Sequence, residues 1–216
     1  MKLVAIIFTM ACLSCQVTDS QDFPIPPVGD DTSQVLWVHT TDQKSTEAIL
    51  YLLEKAEGNW FAADSFQVVL GRNGMATNKQ EGDGCSPAGV YPLLFAFGYA
   101  EGIETGMPYR VMGSDDICVD EASHSAYNQH IQADSTSDFS HEKMKRNDHL
   151  YEFGIWVGYN TDPVVEGKGS CIFLHVWKDS RTPTAGCTAM DRDDIIRLLK
   201  KLDPKRHPVL WQETGT

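Results

Sequence analysis

Positive charge is scarce in this chain. Eighteen Lys and Arg stand against 30 Asp and Glu, giving a formal net charge of −12 at neutral pH. Such a surface excludes a nucleic-acid partner, because phosphate binding demands clustered Lys and Arg. The N-terminal apolar run, Leu3 to Ala11, is too short to cross a bilayer as a mature helix. Four histidines, His124, His130, His141 and His149, lie in an acidic, loop-like stretch with Asp115, Asp116, Asp120 and Asp134. Neither a His-Glu-x-x-His helix nor a Cys-x-x-Cys pair accompanies them, so solvated side chains are expected there rather than a metal site. Past Asp31 no further linker and no repeat is visible.

What the chain does have begins at the N-terminus. Lys2 precedes the apolar run, which reaches Cys15 through Leu13 and Ser14. An apolar stretch ending in a small residue and then cysteine predicts a lipoprotein signal over residues 1–14, with Cys15 lipidated. Cys12 stands where Leu is preferred, so plain secretory cleavage nearby is the alternative. The expected location is the periplasm or cell envelope, with the chain held to a membrane by a lipid anchor. Residues 15–33, with Pro24, Pro26, Pro27 and Gly29, read as a polar tether. Residues 34–216 then form one domain, long enough to bury a core without disulfide support. A monomer is expected.

The most informative segment is Ile172-Phe173-Leu174-His175-Val176-Trp177, followed by Thr184-Ala185-Gly186-Cys187-Thr188. It sets a histidine at the end of an apolar strand and a cysteine just behind a glycine. Cysteine reacts as thiolate, and a free thiol with a pKa of about 8.5 is only slightly ionised at neutral pH. A neighbouring imidazole can take that proton. Gly186 allows a tight turn, so that the amides of Gly186 and Cys187 can converge on a developing oxyanion. The pattern points to cysteine acyl transfer without a cofactor. The competing reading is a buried, inert cysteine beside an ordinary strand histidine.

The stretch Gly169–Trp177 with Pro183-Thr184-Ala185-Gly186-Cys187-Thr188-Ala189-Met190 resembles the active-site segment of YkuD-type L,D-transpeptidases. Gly71-Arg72-Asn73-Gly74, Gly82-Asp83-Gly84 with Ser86–Pro92, Met107-Pro108-Tyr109-Arg110 and Leu202-Asp203-Pro204 resemble other pieces of that family in order. Two departures stand out. Ala185 lies where the family often has a second histidine, on a shortened spacer, and Ala189 lies where many members place Asn or Arg.

The resemblance implies a mainly β domain, a mixed-sheet β-sandwich with few helices. It also implies action on peptidoglycan stem peptides, with Cys187 as nucleophile and His175 as general base and acid. Thr184 and Arg110 are candidate substrate contacts. A hydrolase using the same thioester, whether L,D-carboxypeptidase or amidase, is the alternative, and a decayed cell-wall binding protein is a further one.

The residue pattern agrees with a β-rich fold. Gln34–Thr40, Ser65–Leu70, Gly89–Phe97, Tyr151–Val157 and Val209–Trp211 read as strands. Thr46–Lys55 fits a helix face by spacing, whereas the turn Glu57-Gly58-Asn59 and the resemblance favour a hairpin. One helix is expected after Asp191, with Ile195, Ile196, Leu198, Leu199 and Leu202 on its apolar face and Pro204 as its stop. Cys12 and Cys15 belong to the export segment. The other four cysteines invite a two-disulfide reading, but a nucleophilic Cys187 must stay reduced. At most one bridge then forms, for which Cys118–Cys171 is the expected pair, leaving Cys85 free.

Overall fold

Large and β-branched residues at alternate positions drive most of the regular structure of this chain into strands. In the computed structural model, which describes residues 23–134 and 137–215, β1 (Gln34–Thr40) is covered on both faces. Leu36 and Val38 join one core cluster, while Val35 and Trp37 join another. β2 (Glu47–Ala56) and β3 (Asn59–Val69) form a hairpin, so the ambiguous Thr46–Lys55 spacing resolves to strand. The turn decides it. Glu57 and Gly58 both take positive φ, 51° and 84°. That is the signature of a type I′ turn, whose twist matches that of the flanking strands.

β4 (Met75–Ala76) and β5 (Ser86–Pro87) make a short parallel pair. β6 (Gly89–Gly98) and β7 (Tyr109–Val111) follow, also parallel to each other. β8 (Asp116–Val119), β9 (His130–Gln132) and β10 (His141–Lys143) build a separate sheet ordered β10-β8-β9. β11 (Phe153–Val157), β12 (Phe173–Val176), β13 (Thr188–Met190), α1 (Arg192–Lys201) and β14 (Val209–Thr214) complete the fold.

The main sheet runs β11-β12-β13-β3-β2-β1-β14-β6-β7, and a further pairing of β11 with β6 closes it on itself. β7 hangs outside this ring. The sheet is mixed: β1/β14 and β12/β13 are parallel, whereas the two hairpin strands and β11/β12 are antiparallel.

The expected helix is present. The Asp191 carboxylate accepts the Asp193 amide as an N-cap, and acidic and basic residues sit at the ends that suit the helix dipole. Ile195, Leu198 and Leu199 pack with Leu36, Leu52, Val68, Ile155 and Leu174 in the largest core cluster. On the other face of β6, β11 and β12 lies an aromatic cluster of Phe95, Phe97, Trp156, Phe173 and Tyr151, which also holds Cys171 and Cys187. Phe173 and His175 share this face, while Leu174 and Val176 turn to the main core, following the two-residue strand period.

Two expectations need adjustment. The acidic region from residue 115 to 150 is not only loop, since it carries β8–β10. Those strands are three or four residues long, too short to show a period, and Met144 and Cys118 anchor them to the aromatic cluster. The described part of the expected tether, residues 23–33, also contacts the domain. Phe23 packs edge-on against Trp37 and Tyr51 at 6.3 and 5.5 Å, and the Ser33 amide donates to Arg206 O at 2.9 Å. Phe23–Ser33 therefore lies along the domain. The expected signal segment 1–14, Cys15 and the tether up to residue 22 fall outside the described residues.

A Cys118–Cys171 disulfide joins β8 to the segment before β12, and Cys85 and Cys187 are free thiols. Its two ends are 53 residues apart. Closing a loop of that size removes about 4 kcal/mol of unfolded-chain entropy in the usual model. The Cys118→Ala/Cys171→Ala double variant should lose about 2–4 kcal/mol of unfolding free energy in urea titrations. A loss under about 0.5 kcal/mol would mean that the bridge does not constrain the unfolded chain.

Candidate active site

The Gly-Cys turn is built by the segments that bear the scattered sequence resemblances. Thr184 bridges to Gly71, and its amide donates to Leu70 O at 2.8 Å. Ser86, fully buried, accepts the Gly71 amide at 2.9 Å and donates to Cys187 O at 3.1 Å. Thr184 Oγ1 also donates to Cys187 O, at 2.6 Å, and accepts the Gly186 amide at 3.1 Å. Gly186 has φ +154°, and a Cβ there would meet Cys85 O at 3.0 Å and Lys79 Nζ at 3.4 Å. Only glycine suits this position. Behind it, the buried Lys79 ammonium is paired with Asp83 at 2.6 Å.

Cys187 and His175 line one cavity of about 250 Å³, together with Glu142, Arg146 and Tyr151. The strand order brings them together. β12 carries His175 and pairs in parallel with β13, which starts one residue after Cys187. Both side chains are nearly inaccessible, at 5 % for His175 and 7 % for Cys187. A larger cavity of about 690 Å³, lined by Tyr51, Gln67 and Arg181 among others, lies across Trp177, which lines both.

Burial sets the resting charge state. It pushes the Cys187 thiol up to about 12, and the carboxylate charge of Glu142 adds to this. Burial also lowers His175 to about 4, outweighing the carbonyls of Val176 and Leu150, which favour the protonated ring. The expected thiolate–imidazolium pair is therefore a neutral pair at rest. The thiol donates to Cys171 O at 3.4 Å and accepts from the Phe173 amide at 3.3 Å. Among the described residues no hydrogen bond joins it to His175. Nδ1 of His175 donates to Val176 O at 2.8 Å, which fixes that nitrogen as the protonated one of the neutral ring.

The other expected site residues divide. The Gly186 amide is taken by Thr184 Oγ1, so of the two expected oxyanion donors only the Cys187 amide remains a candidate. Thr184 lines the cavity, but its hydroxyl is committed to the turn. Arg110 does not line the cavity. Its guanidinium lies 3.9 Å from the centre of the Phe95 ring and 3.2 Å from His130 Nδ1, held on β7 outside the ring of strands. His130 in turn binds Asp116 at 2.7 Å, and His124 Nδ1 accepts the Ala126 amide. No group of three or more potential metal-binding side chains occurs among the described residues.

Glu142, Arg146 and Tyr151 are additions that sequence patterning did not reveal. Tyr151 packs edge-on against Phe173 and His175 at 5.4 and 5.1 Å, and its hydroxyl donates to the Glu142 carboxyl. Arg146 lies over the Tyr151 ring, 5.0 Å from its centre. Their one sequence signal is Tyr151 itself, which stands two residues before Phe153, the first residue of β11.

The His175 environment makes stability pH-dependent. The unfolded ring binds a proton below about 6.5, whereas the folded ring does so only below about 4. Between these values the unfolded state binds more protons, so stability is full above about pH 6.5 and falls as pH drops towards 4. This contribution amounts to about 3 kcal/mol. Urea unfolding from pH 7 to 4 should show a steeper loss in the native chain than in His175→Gln; equal slopes would contradict a neutral buried ring.

The family model for the YkuD L,D-transpeptidase catalytic domain matches residues 33–210. No curated protein sequence matches the chain. Among solved structures, one described as the structure of Bdellovibrio bacteriovorus Bd1075 is similar at 13% identity and a TM-score of 0.45. The match covers 83% of this chain and 47% of that one, so the chain spans about half the length of that structure. With the family match spanning most of its length, the chain belongs to the YkuD family of L,D-transpeptidase catalytic domains, a family of cell-wall enzymes.

Proposed function

We propose that the chain is a cysteine-dependent L,D-transpeptidase acting on peptidoglycan stem peptides. The observation that carries this reading is the convergence of Cys187 and His175 on one cavity within a YkuD domain. Cys187 attacks the carbonyl that links an L-centre to a D-centre. His175, neutral at physiological pH, accepts the thiol proton once the thiol turns from Cys171 O. The carbonyls of Val176 and Leu150 favour the imidazolium so formed. The tetrahedral oxyanion is received by the Cys187 amide. Collapse expels the D-amino acid, which takes the proton from His175, and leaves a thioester. An amine of a neighbouring stem then accepts the acyl group.

Export of the domain, with a lipid anchor at Cys15, is part of the same proposal. It is supported by the Cys118–Cys171 bridge, which persists in oxidising compartments. We place the domain as a monomer at the cell envelope.

Incubation with disaccharide tetrapeptides and mass spectrometry of the products test the reaction. Cross-linked dimers and a Cys187 acyl-enzyme are expected from the native chain, and neither from Cys187→Ser. His175→Ala should slow acylation by about 100-fold or more. Free tripeptide without dimer would identify a hydrolase instead, and turnover retained in Cys187→Ser would remove the thiol from the mechanism.

A further inference from the structure

The cavity beside Cys187 contains a carboxyl short of a cation. Glu142 is half-buried on β10 and lines the cavity, and desolvation pushes its carboxyl above the usual carboxylate range. One of its oxygens accepts the Tyr151 hydroxyl, and no ion pair to Glu142 occurs among the described residues. Arg146, whose charge favours the ionised form of Glu142, makes its hydrogen bonds elsewhere. Its Nε donates to Asp148 at 2.9 Å and its Nη2 to the same carboxylate.

The remaining charged neighbours make the shortage worse. Asp120 and Glu81 both act on Glu142 as like charges, and Asp120 Oδ1 is itself buried without a hydrogen-bond partner. Lys178 lines the cavity, but its residue is exposed and its charge acts on Asp179. A partly desolvated carboxylate is favoured by a partner of opposite charge, because desolvation penalises the unpaired ion. Here the space where that partner would stand is the catalytic cavity.

We propose that Glu142 receives an ammonium group of the substrate, and that this cation, by neutralising the carboxylate beside Cys187, makes the thiol reactive. The inference rests on the acyl-transfer reading above and adds the class of group that the cavity takes: a stem-peptide residue with a free amine. The cavity, at about 250 Å³, is smaller than the roughly 300–1,000 Å³ of pockets for drug-sized ligands, and holds little more than one such residue. An empty cavity keeps Cys187 protonated, partly through Glu142. An ammonium between the two carries away that opposition, so nucleophile activation is coupled to the arrival of the correct group.

Alkylation by uncharged iodoacetamide tests this without relying on turnover. A Cys85→Ala background leaves Cys187 as the free thiol among the described residues. At pH 8–10, n-propylammonium chloride should speed Cys187 alkylation at least about 3-fold over sodium chloride of equal ionic strength, a difference of under one pH unit in thiol midpoint. Glu142→Gln should react faster than the native chain in sodium chloride, with a lower midpoint, and should gain nothing from propylammonium. Equal rates in the two salts for the native chain overturn the proposal, even if the variant fails to fold. So does equal acceleration of a folded Glu142→Gln.

Turnover supplies the second arm. Glu142→Gln should raise KM about 10-fold or more for stem peptides with a free side-chain amine and leave N-acetylated ones unchanged; equal effects on both would overturn the assignment. A native chain that turns over no stem peptide contradicts the acyl-transfer reading, while the salt comparison still decides whether Glu142 is a cation site.

Discussion

The pairing of β11 with β6 is the constraint on which the rest depends. It turns a strip of strands into a closed ring and so assigns each strand two unlike faces. One face joins the aliphatic core with α1, and the other, along β6, β11 and β12, carries the aromatic cluster. A slip of one residue in β12 would exchange His175 with Leu174 or Val176 between those faces. The β11/β12 register, Gly154 opposite His175, therefore matters beyond backbone hydrogen bonding. Gly154 is equally constrained, because a Cβ there would meet the Phe97 ring at 2.2 Å.

Burial governs the chemistry in the same way that closure governs the fold. Desolvation lowers the imidazole and raises the thiol, so the resting pair is neutral and held by main-chain partners. This differs from cysteine sites where an exposed imidazolium stabilises a standing thiolate. Reactivity must instead be created when ligand enters, by reorienting the thiol and changing the charges around it. The Cys171 carbonyl that receives the thiol belongs to a disulfide cysteine at φ +54°, whose amide is held by Asn128 Oδ1 at 2.9 Å. Asn128 also donates to Tyr159 O and Asn160 O, so one buried amide side chain ties the nucleophile's resting partner to two loops.

Much of this was legible in the sequence, and the reasons are local. The run ending in His175 is continuous and apolar, and Gly186 announces the turn before Cys187. Asp191 with its following apolar face marks α1, whose bounds depend on a side-chain cap. Thr46–Lys55 was not decidable from spacing, because Leu52 and Leu53 serve opposite faces of a strand as readily as one face of a helix. Glu142 was out of reach for another reason. It sits on a three-residue strand in a polar stretch, and its place beside Cys187 comes from its register opposite Cys118 and from the bridge to Cys171. Arg110 shows the converse case. A guanidinium in a recognisable motif suggests a ligand contact, yet an aromatic face and a histidine satisfy it where it stands.

The crossover from β12 to β13 holds only residues 177–187. It forms part of the wall between the two cavities, with Trp177 facing both, Lys178 and Thr182 facing the smaller, and Ser180 and Arg181 the larger. Doubling the length of a flexible loop costs only about 0.6 kcal/mol in closure entropy. The strands that fix His175 and Cys187 would be unaffected by such a change, while the partition between the cavities would be redrawn. Loop length is thus a nearly stability-neutral variable through which a lineage could retune ligand shape without disturbing its nucleophile, and the short spacer of this chain is one setting of it.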